Sequence, residues 1–154
     1  MVQHITENTG NHEFIVFRTG SQEYCVDIRC TKELRGWTAS TRLPHASDYV
    51  VGVINLRGTI LPIVDLAKRM GLESEGPSER HVIIVVQLED KLFGLLVDSV
   101  SDILNVTASD LRPVPEVNSS EAGDIFRQVI VLENRVICEI LLDWVLPEIG
   151  SIAA

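Results

Sequence analysis

The sequence predicts a mainly β protein made of two similar small antiparallel barrels with short helices, and three observations carry that expectation. Of its 154 residues, 45% are apolar but only 5% aromatic, so the core has to be built from Val, Ile and Leu. The β-branched members of that set favour pleated strands. Short apolar runs alternate with turn-forming residues along the chain, as strands and hairpins require. The order of those runs then occurs twice, and each copy holds the four or five short strands that a small barrel needs. A chain of this length buries roughly 68–70% of the surface its unfolded form exposes, enough for one domain or two lobes sharing a core.

Residues 1 to 12 are polar and read as a flexible N-terminal tail. Phe14-Ile15-Val16-Phe17 opens the first strand, Thr19-Gly20-Ser21 turns the chain, and Tyr24, Val26 and Ile28 alternate on one face of the next strand. Cys30 to Gly36 reads as a short helical piece. Gly52 to Leu66 reads as a hairpin with Arg57-Gly58 at its tip, where Gly58 supplies positive φ and the Asn55 amide satisfies backbone groups. Asp65 caps a short helix from Leu66 to Met70, closed by Gly71. Glu73 to Glu79 is a polar linker.

The pattern then returns. Ile83 to Val86, a Glu89-Asp90-Lys91 turn and Phe93 to Val97 repeat the first hairpin, and Val100 to Leu104 repeats the helical piece, placing Asp102 on a short helix. Tyr24, Val26, Ile28 and Leu34 match Phe93, Leu95, Val97 and Ile103 at an offset of 69. Val129 to Leu132, Glu133-Asn134 and Arg135 to Cys138 echo the Arg57 hairpin, with Leu56 on Leu132 and Gly58 on Asn134 at an offset of 76. Asn tolerates the positive φ that this match implies. The repeat units are 13–71 and 82–146, within one domain over 13–146.

Composition and spacing exclude several functions. The net charge is −9 and no basic stripe interrupts it, so nucleic acid is a poor partner. Cys25, Cys30 and Cys138 are odd in number and lack zinc spacing, and read as reduced cysteines. No leader and no apolar run of about 18 residues is present, which predicts a cytoplasmic protein without membrane insertion. No Gly-x-Ser-x-Gly elbow, metal-binding His spacing or phosphate-cradling loop occurs, so neither an enzyme nor a cofactor is expected. Asp98 and Asp102, four apart, could share a helix face as paired carboxylates, but read instead as a strand end and an exposed residue on a short helix.

Some runs need cover on both faces. Ile60 to Val64 and Val82 to Val86 call for burial between the barrels, or for a groove that takes a partner helix. Trp37 and Trp144 read as packing residues, Trp144 tying down the C-terminal segment. Glu139, inside the last strand, must face solvent or a cationic partner.

Five motifs in order carry a family resemblance: Gly52 to Leu66; Glu23-Tyr24-x-Val26-Asp27-Ile28; Lys32-Glu33-Leu34-Arg35-Gly36; Gly94-x-x-Val97-Asp98-x-Val100-Ser101-Asp102-Ile103; and Arg112-Pro113-x-Pro115-Glu116. The chain resembles CheW-like chemotaxis coupling proteins from residue 13 to 146. The resemblance implies two five-stranded Src-homology-3-like barrels with a groove between them. It implies a non-catalytic adaptor joining chemoreceptors (methyl-accepting chemotaxis proteins) to a CheA-type histidine kinase, whose regulatory domain shares the fold. Such an adaptor is cytoplasmic and recruited to receptor arrays at the inner membrane. By resemblance, Arg57, with Gly58 and Glu33, meets a partner, and the groove includes Thr31, Gly52, Val82, Ile83 and Gly94. Glycines there would let a helix approach the backbone. The chain departs from the family at Thr31, usually apolar, and at Cys25 and Gln128, usually Gly. The alternatives are a small-ligand-binding β-barrel module, or a coupling protein of a pilus-motility system.

Overall fold

The computed structural model describes residues 11–74, 76–115 and 125–145. The tail up to residue 10, Glu75 of the linker, Glu116 of the Arg-Pro motif and the end of the final segment from Leu146 to Pro147 lie outside the described residues. Eleven strands appear among the described residues: β1 His12–Thr19, β2 Gln22–Asp27, β3 Thr31–Gly36, β4 Val50–Leu56, β5 Thr59–Asp65, β6 Val82–Leu88, β7 Lys91–Val97, β8 Ser99–Val106, β9 Leu111–Arg112, β10 Phe126–Val131 and β11 Val136–Ile140. Two four-residue helices, α1 Leu66–Arg69 and α2 Leu142–Val145, and two single 3-10 turns complete them. The protein is mainly β, as the composition predicts.

The strands form two sheets. Lobe 1 has the order β8-β1-β2-β11-β10-β9 and lobe 2 the order β3-β6-β7-β5-β4. Replacing each strand of lobe 2 by its counterpart in the other half of the chain reproduces five strands of lobe 1 in the same order. The helices correspond too, α2 beginning 76 residues after α1. The lobes are not the two sequence halves, however. The β1–β2 hairpin sits in the sheet of β8 to β11, and β6–β7 sits in that of β3 to β5. This exchange makes β5–β7 and β11–β2 parallel pairs, so neither sheet is wholly antiparallel.

Two predicted helical pieces are strands. Residues 31–36 form β3, which pairs with β6 through Leu34 opposite Ile84, and residues 99–106 form β8, which pairs with β1 through Ile103 opposite Ile15. A helix of six residues carries its full nucleation cost for few hydrogen bonds, whereas a neighbouring strand supplies partners at once. Of the first predicted piece only Cys30 is helical, as the last residue of an Ile28–Cys30 3-10 turn in which Asp27 accepts from the Arg29 N–H.

Three apolar clusters follow from the alternation of side chains. In β6, Ile83 and Val85 point into lobe 2 with Leu61, Ile63 and Leu96. Ile84 and Val86 point the other way, into a core shared with Ile15, Phe17, Tyr24 and Val26 of lobe 1. Phe14, Val16, Cys25, Ile130 and Ile137 fill lobe 1 itself. The doubly apolar run at 82–86 is therefore accounted for by burial on two sides. The C-terminal segment is fastened as the Trp144 expectation required: the Arg69 guanidinium lies 3.9 Å from the Trp144 ring centroid and 4.7 Å from that of Tyr49, and Arg69 Nη2 donates to the Trp144 carbonyl.

Candidate partner-binding surfaces

The Arg57 hairpin tip is a two-residue turn with both central residues at positive φ, Arg57 at 50° and Gly58 at 88°. That is the primed geometry whose twist suits a hairpin. Asn55 Oδ1 accepts from the Gly58 N–H at 2.8 Å and braces the turn, as predicted. Arg57 is exposed, but its guanidinium does not stand alone. Its Nη2 donates to Glu33 Oε1 at 2.7 Å, while Arg35 Nη1 donates to Glu33 Oε2 at 3.2 Å. Hydrogen bonds from Arg57 first, then Arg35, hold the Glu33 carboxyl below the usual carboxylate range. Because β3 and β4 are opposite edges of the sheet, the Glu33–Arg57 pair joins two edges that no ladder joins. The structure thus brings Glu33, Arg57 and Gly58 together on one exposed surface.

The other residues named from sequence lie elsewhere. Ile83 is fully buried within lobe 2. A Cβ on Gly94 would meet Ile63 Cδ1 at 2.7 Å and Ile83 Cγ2 at 2.8 Å, so this glycine makes room for core side chains and not for a partner helix. Gly52, at φ 156°, sits at a bulge; its Cβ would lie 2.4 Å from the Thr41 carbonyl oxygen, where Thr41 bridges Val53. Its lack of a side chain serves a close approach inside the fold. Val82 and Thr31 are half-buried, and the Thr31 hydroxyl donates to the Asp27 carbonyl at 3.4 Å.

Five large aliphatic side chains are exposed among the described residues, and four of them, all but Leu72, come in corresponding pairs. Leu34 on β3 is 45% exposed and Ile103 on β8, 69 residues later, is 56% exposed. Their cross-strand partners, Ile84 and Ile15, both lie in the shared core. Leu34 and Ile103 therefore stand on the sheet faces that enclose that core, yet at edge strands where nothing among the described residues covers them. Ile60 and Val136, 76 residues apart, are exposed one residue after positions 59 and 135 that follow the two hairpin tips. The repeat offsets already held the signal, since each pair keeps an aliphatic at matched positions.

Lobe 1 has its own tip arginine. Arg135 meets both Glu23 and Asp102 at 3.0–3.2 Å, and those two carboxylates raise its pKa. Asp102 corresponds to Glu33 at the offset of 69. Asn134 is not at positive φ, so its turn differs from that of Gly58.

A cleft of about 780 Å³ holds Ser78, His81 and Asp98. Ser78 Oγ lies 3.0 Å from His81 Nδ1, and His81 Nε2 lies 3.4 Å from Asp98 Oδ1. The same Nδ1 also accepts the Ser78 N–H, and Asp98 Oδ2 accepts the Gly20 N–H, so these groups fasten turns. Among the described residues no group of three or more His, Cys, Asp and Glu is placed to hold a metal ion, and no helix is long and apolar enough to cross a membrane.

Comparison with known proteins agrees with this geometry. The profile of the CheW-like domain matches residues 13–146. The chain is 49% identical to the chemotaxis protein CheW of Rhizobium meliloti over 145 residues, covering 94% of this chain and 92% of that one. It is 35% identical to the CheW of Klebsiella aerogenes, covering 92% and 84%. The crystal structure of the scaffolding protein TtCheW from Thermoanaerobacter tengcongensis superposes with a TM-score of 0.78 at 27% identity, covering 84% of this chain and 88% of that one. With a family match across nearly its whole length and relatives of this identity, the chain belongs to the CheW-like domain family.

Proposed function

We propose that the protein is a non-catalytic adaptor that couples chemoreceptors to a CheA-type histidine kinase in bacterial chemotaxis. The observation that carries this reading is the matched set of exposed aliphatic residues. Leu34 and Ile103 flank the faces between the lobes, where an amphipathic receptor helix would lay its apolar side. Ile60, three residues on from Arg57, gives one barrel an end with an exposed aliphatic near a presented guanidinium, a composition that suits interface anchors, and Val136 gives the other barrel an exposed aliphatic at the matching end. The kinase's regulatory domain shares the double-barrel architecture, so barrel ends would pack end to end, and two ends per molecule allow closed rings that extend into arrays. The adaptor would then be recruited to receptors in the cytoplasm, raising the effective kinase concentration there.

Co-sedimentation with receptor-bearing membranes and the kinase tests this. The kinase should pellet with receptors only when the protein is added, and Leu34→Lys with Ile103→Lys should abolish receptor binding. Kinase recruitment that is the same without the protein would refute the coupling role.

A further inference from the structure

Beside the ends of β2, β11 and α2 lies a second cleft of about 300 Å³ that none of the proposed partner-binding residues lines. Val26, Leu88 and Leu142 contribute apolar wall, and Glu139 contributes a carboxylate. Glu139 is only 6% exposed. Its single side-chain hydrogen bond among the described residues comes from Gln128 Nε2 to Oε1 at 2.8 Å, and it makes no ion pair there. A carboxylate withdrawn from water with one amide for company is costly to keep charged. Burial accordingly pushes its pKa up, against the hydrogen bond from Gln128 and the fields of Arg127 and Arg29. A fold that needed only a polar group at this point would be served as well by glutamine. Two cations of the chain line the cleft without neutralising it. Arg29 is committed to Asp27 at 2.8 Å, and Arg127 forms no ion pair among the described residues.

We propose that this cleft is a socket for one basic side chain, arginine or lysine, presented by a protein partner, with the cationic head on Glu139 and the aliphatic stem along Val26, Leu88 and Leu142. Arginine and lysine have this division, an apolar stem and a charged head. The volume suits one long side chain and not a folded element. Asp143 on the cleft adds a second carboxylate within the same lining, which favours the planar fork of arginine. The competing occupant is Arg127 of this chain itself, turned inward.

The test titrates N-acetyl-arginine amide into the isotopically labelled protein at low ionic strength and follows it by NMR. Saturable shifts are expected at the Gln128 side-chain amide and at residues 139–143, with none from N-acetyl-leucine amide. Glu139→Gln, which keeps the volume, should weaken binding at least tenfold. Rising salt should weaken it in the wild-type protein, a measurement that does not depend on the variant folding. Arg127→Ala should bind as tightly or more tightly. Absence of saturable shifts in both the wild-type protein and Arg127→Ala, or undiminished binding by folded Glu139→Gln, would overturn the socket. Neither kinase nor receptor enters this experiment, so its failure leaves the adaptor reading untouched.

Discussion

Each lobe carries an arginine at a hairpin turn, Arg57 between β4 and β5 and Arg135 just before β11, with a carboxylate facing it from an edge strand, Glu33 in lobe 2 and Asp102 in lobe 1. In lobe 1, Arg135 makes four hydrogen bonds to Glu23 and Asp102, and its side chain is 30% exposed. In lobe 2, Arg57 makes one to Glu33, and its side chain is 70% exposed. The turns explain the difference. The primed turn braced by Asn55 puts Arg57 at the outermost position, whereas Arg135 follows its turn and lies back towards the sheet. A network of two carboxylates on one half-buried guanidinium contributes to stability, while an exposed single pair is worth about 0–1 kcal/mol. The same ion pair has become a fastening in one lobe and a presented group in the other.

Glycine usage separates the lobes in the same way. Lobe 2 has Gly52 and Gly94 where lobe 1 has Gln128 and Cys25, at the offsets of 76 and 69. The comparison breaks first here. Gly52→Val combines a strained φ with a clash against the Thr41 backbone and should cost roughly 2–5 kcal/mol in urea unfolding. A loss below 1 kcal/mol would mean that the 40–41 segment is free to move away. Gly94→Ala should cost roughly 1–3 kcal/mol by overpacking against Ile63 and Ile83. Cys25→Ala, its counterpart, should cost about 1 kcal/mol or less, and equal losses at the two sites would erase the distinction.

Charge changes sharpen the comparison further. Arg135→Ala leaves two carboxylates facing each other and should destabilise the fold by about 1–2 kcal/mol. Glu139 gives a pH signature in lobe 1. Its pKa is raised in the folded state, so the folded protein holds its proton more tightly than the unfolded chain. Stability from this group is present below the unfolded glutamate pKa of about 4.3 and is lost as pH rises through the folded value. Glu139→Gln should flatten that fall, leaving stability at neutral pH equal to or above wild type. A Gln variant less stable at pH 7 would show that the charge supports the fold.

The sequence made the repeat legible because apolar periodicity survives duplication, and Asp65, Gly71, Asn55 and Gly58 were readable because each carries a local mechanism. The hairpin exchange between lobes was not, since strand pairing there is decided by contacts between residues 31 to 114 positions apart, from Ile63–Gly94 to Tyr24–Cys138. For the same reason β3 and β8 read as helices: Leu34 and Ile103 have a helix-compatible local pattern and become strands only beside β6 and β1. Of the site, Arg57, Gly58 and Glu33 come together in the structure, and the Arg57–Glu33 ion pair could not be read from sequence because it needs the closed sheet. Ile83, Gly94 and Gly52 could not be told from groove residues by type, because small and apolar residues serve cores and grooves alike.

The smallest expected change in stability belongs to Arg57, and it tests the account most directly. Thermal unfolding and binding to the kinase regulatory domain and a receptor fragment should be measured side by side for Arg57→Ala and Arg135→Ala. The account predicts that Arg57→Ala shifts stability by no more than about 0.5 kcal/mol while weakening binding of a partner by about 2 kcal/mol or more, as a desolvated arginine anchor does. Arg135→Ala should show the reverse order, with its larger loss in stability. An Arg57→Ala protein that binds both partners at wild-type affinity, or that unfolds as early as Arg135→Ala, would contradict it.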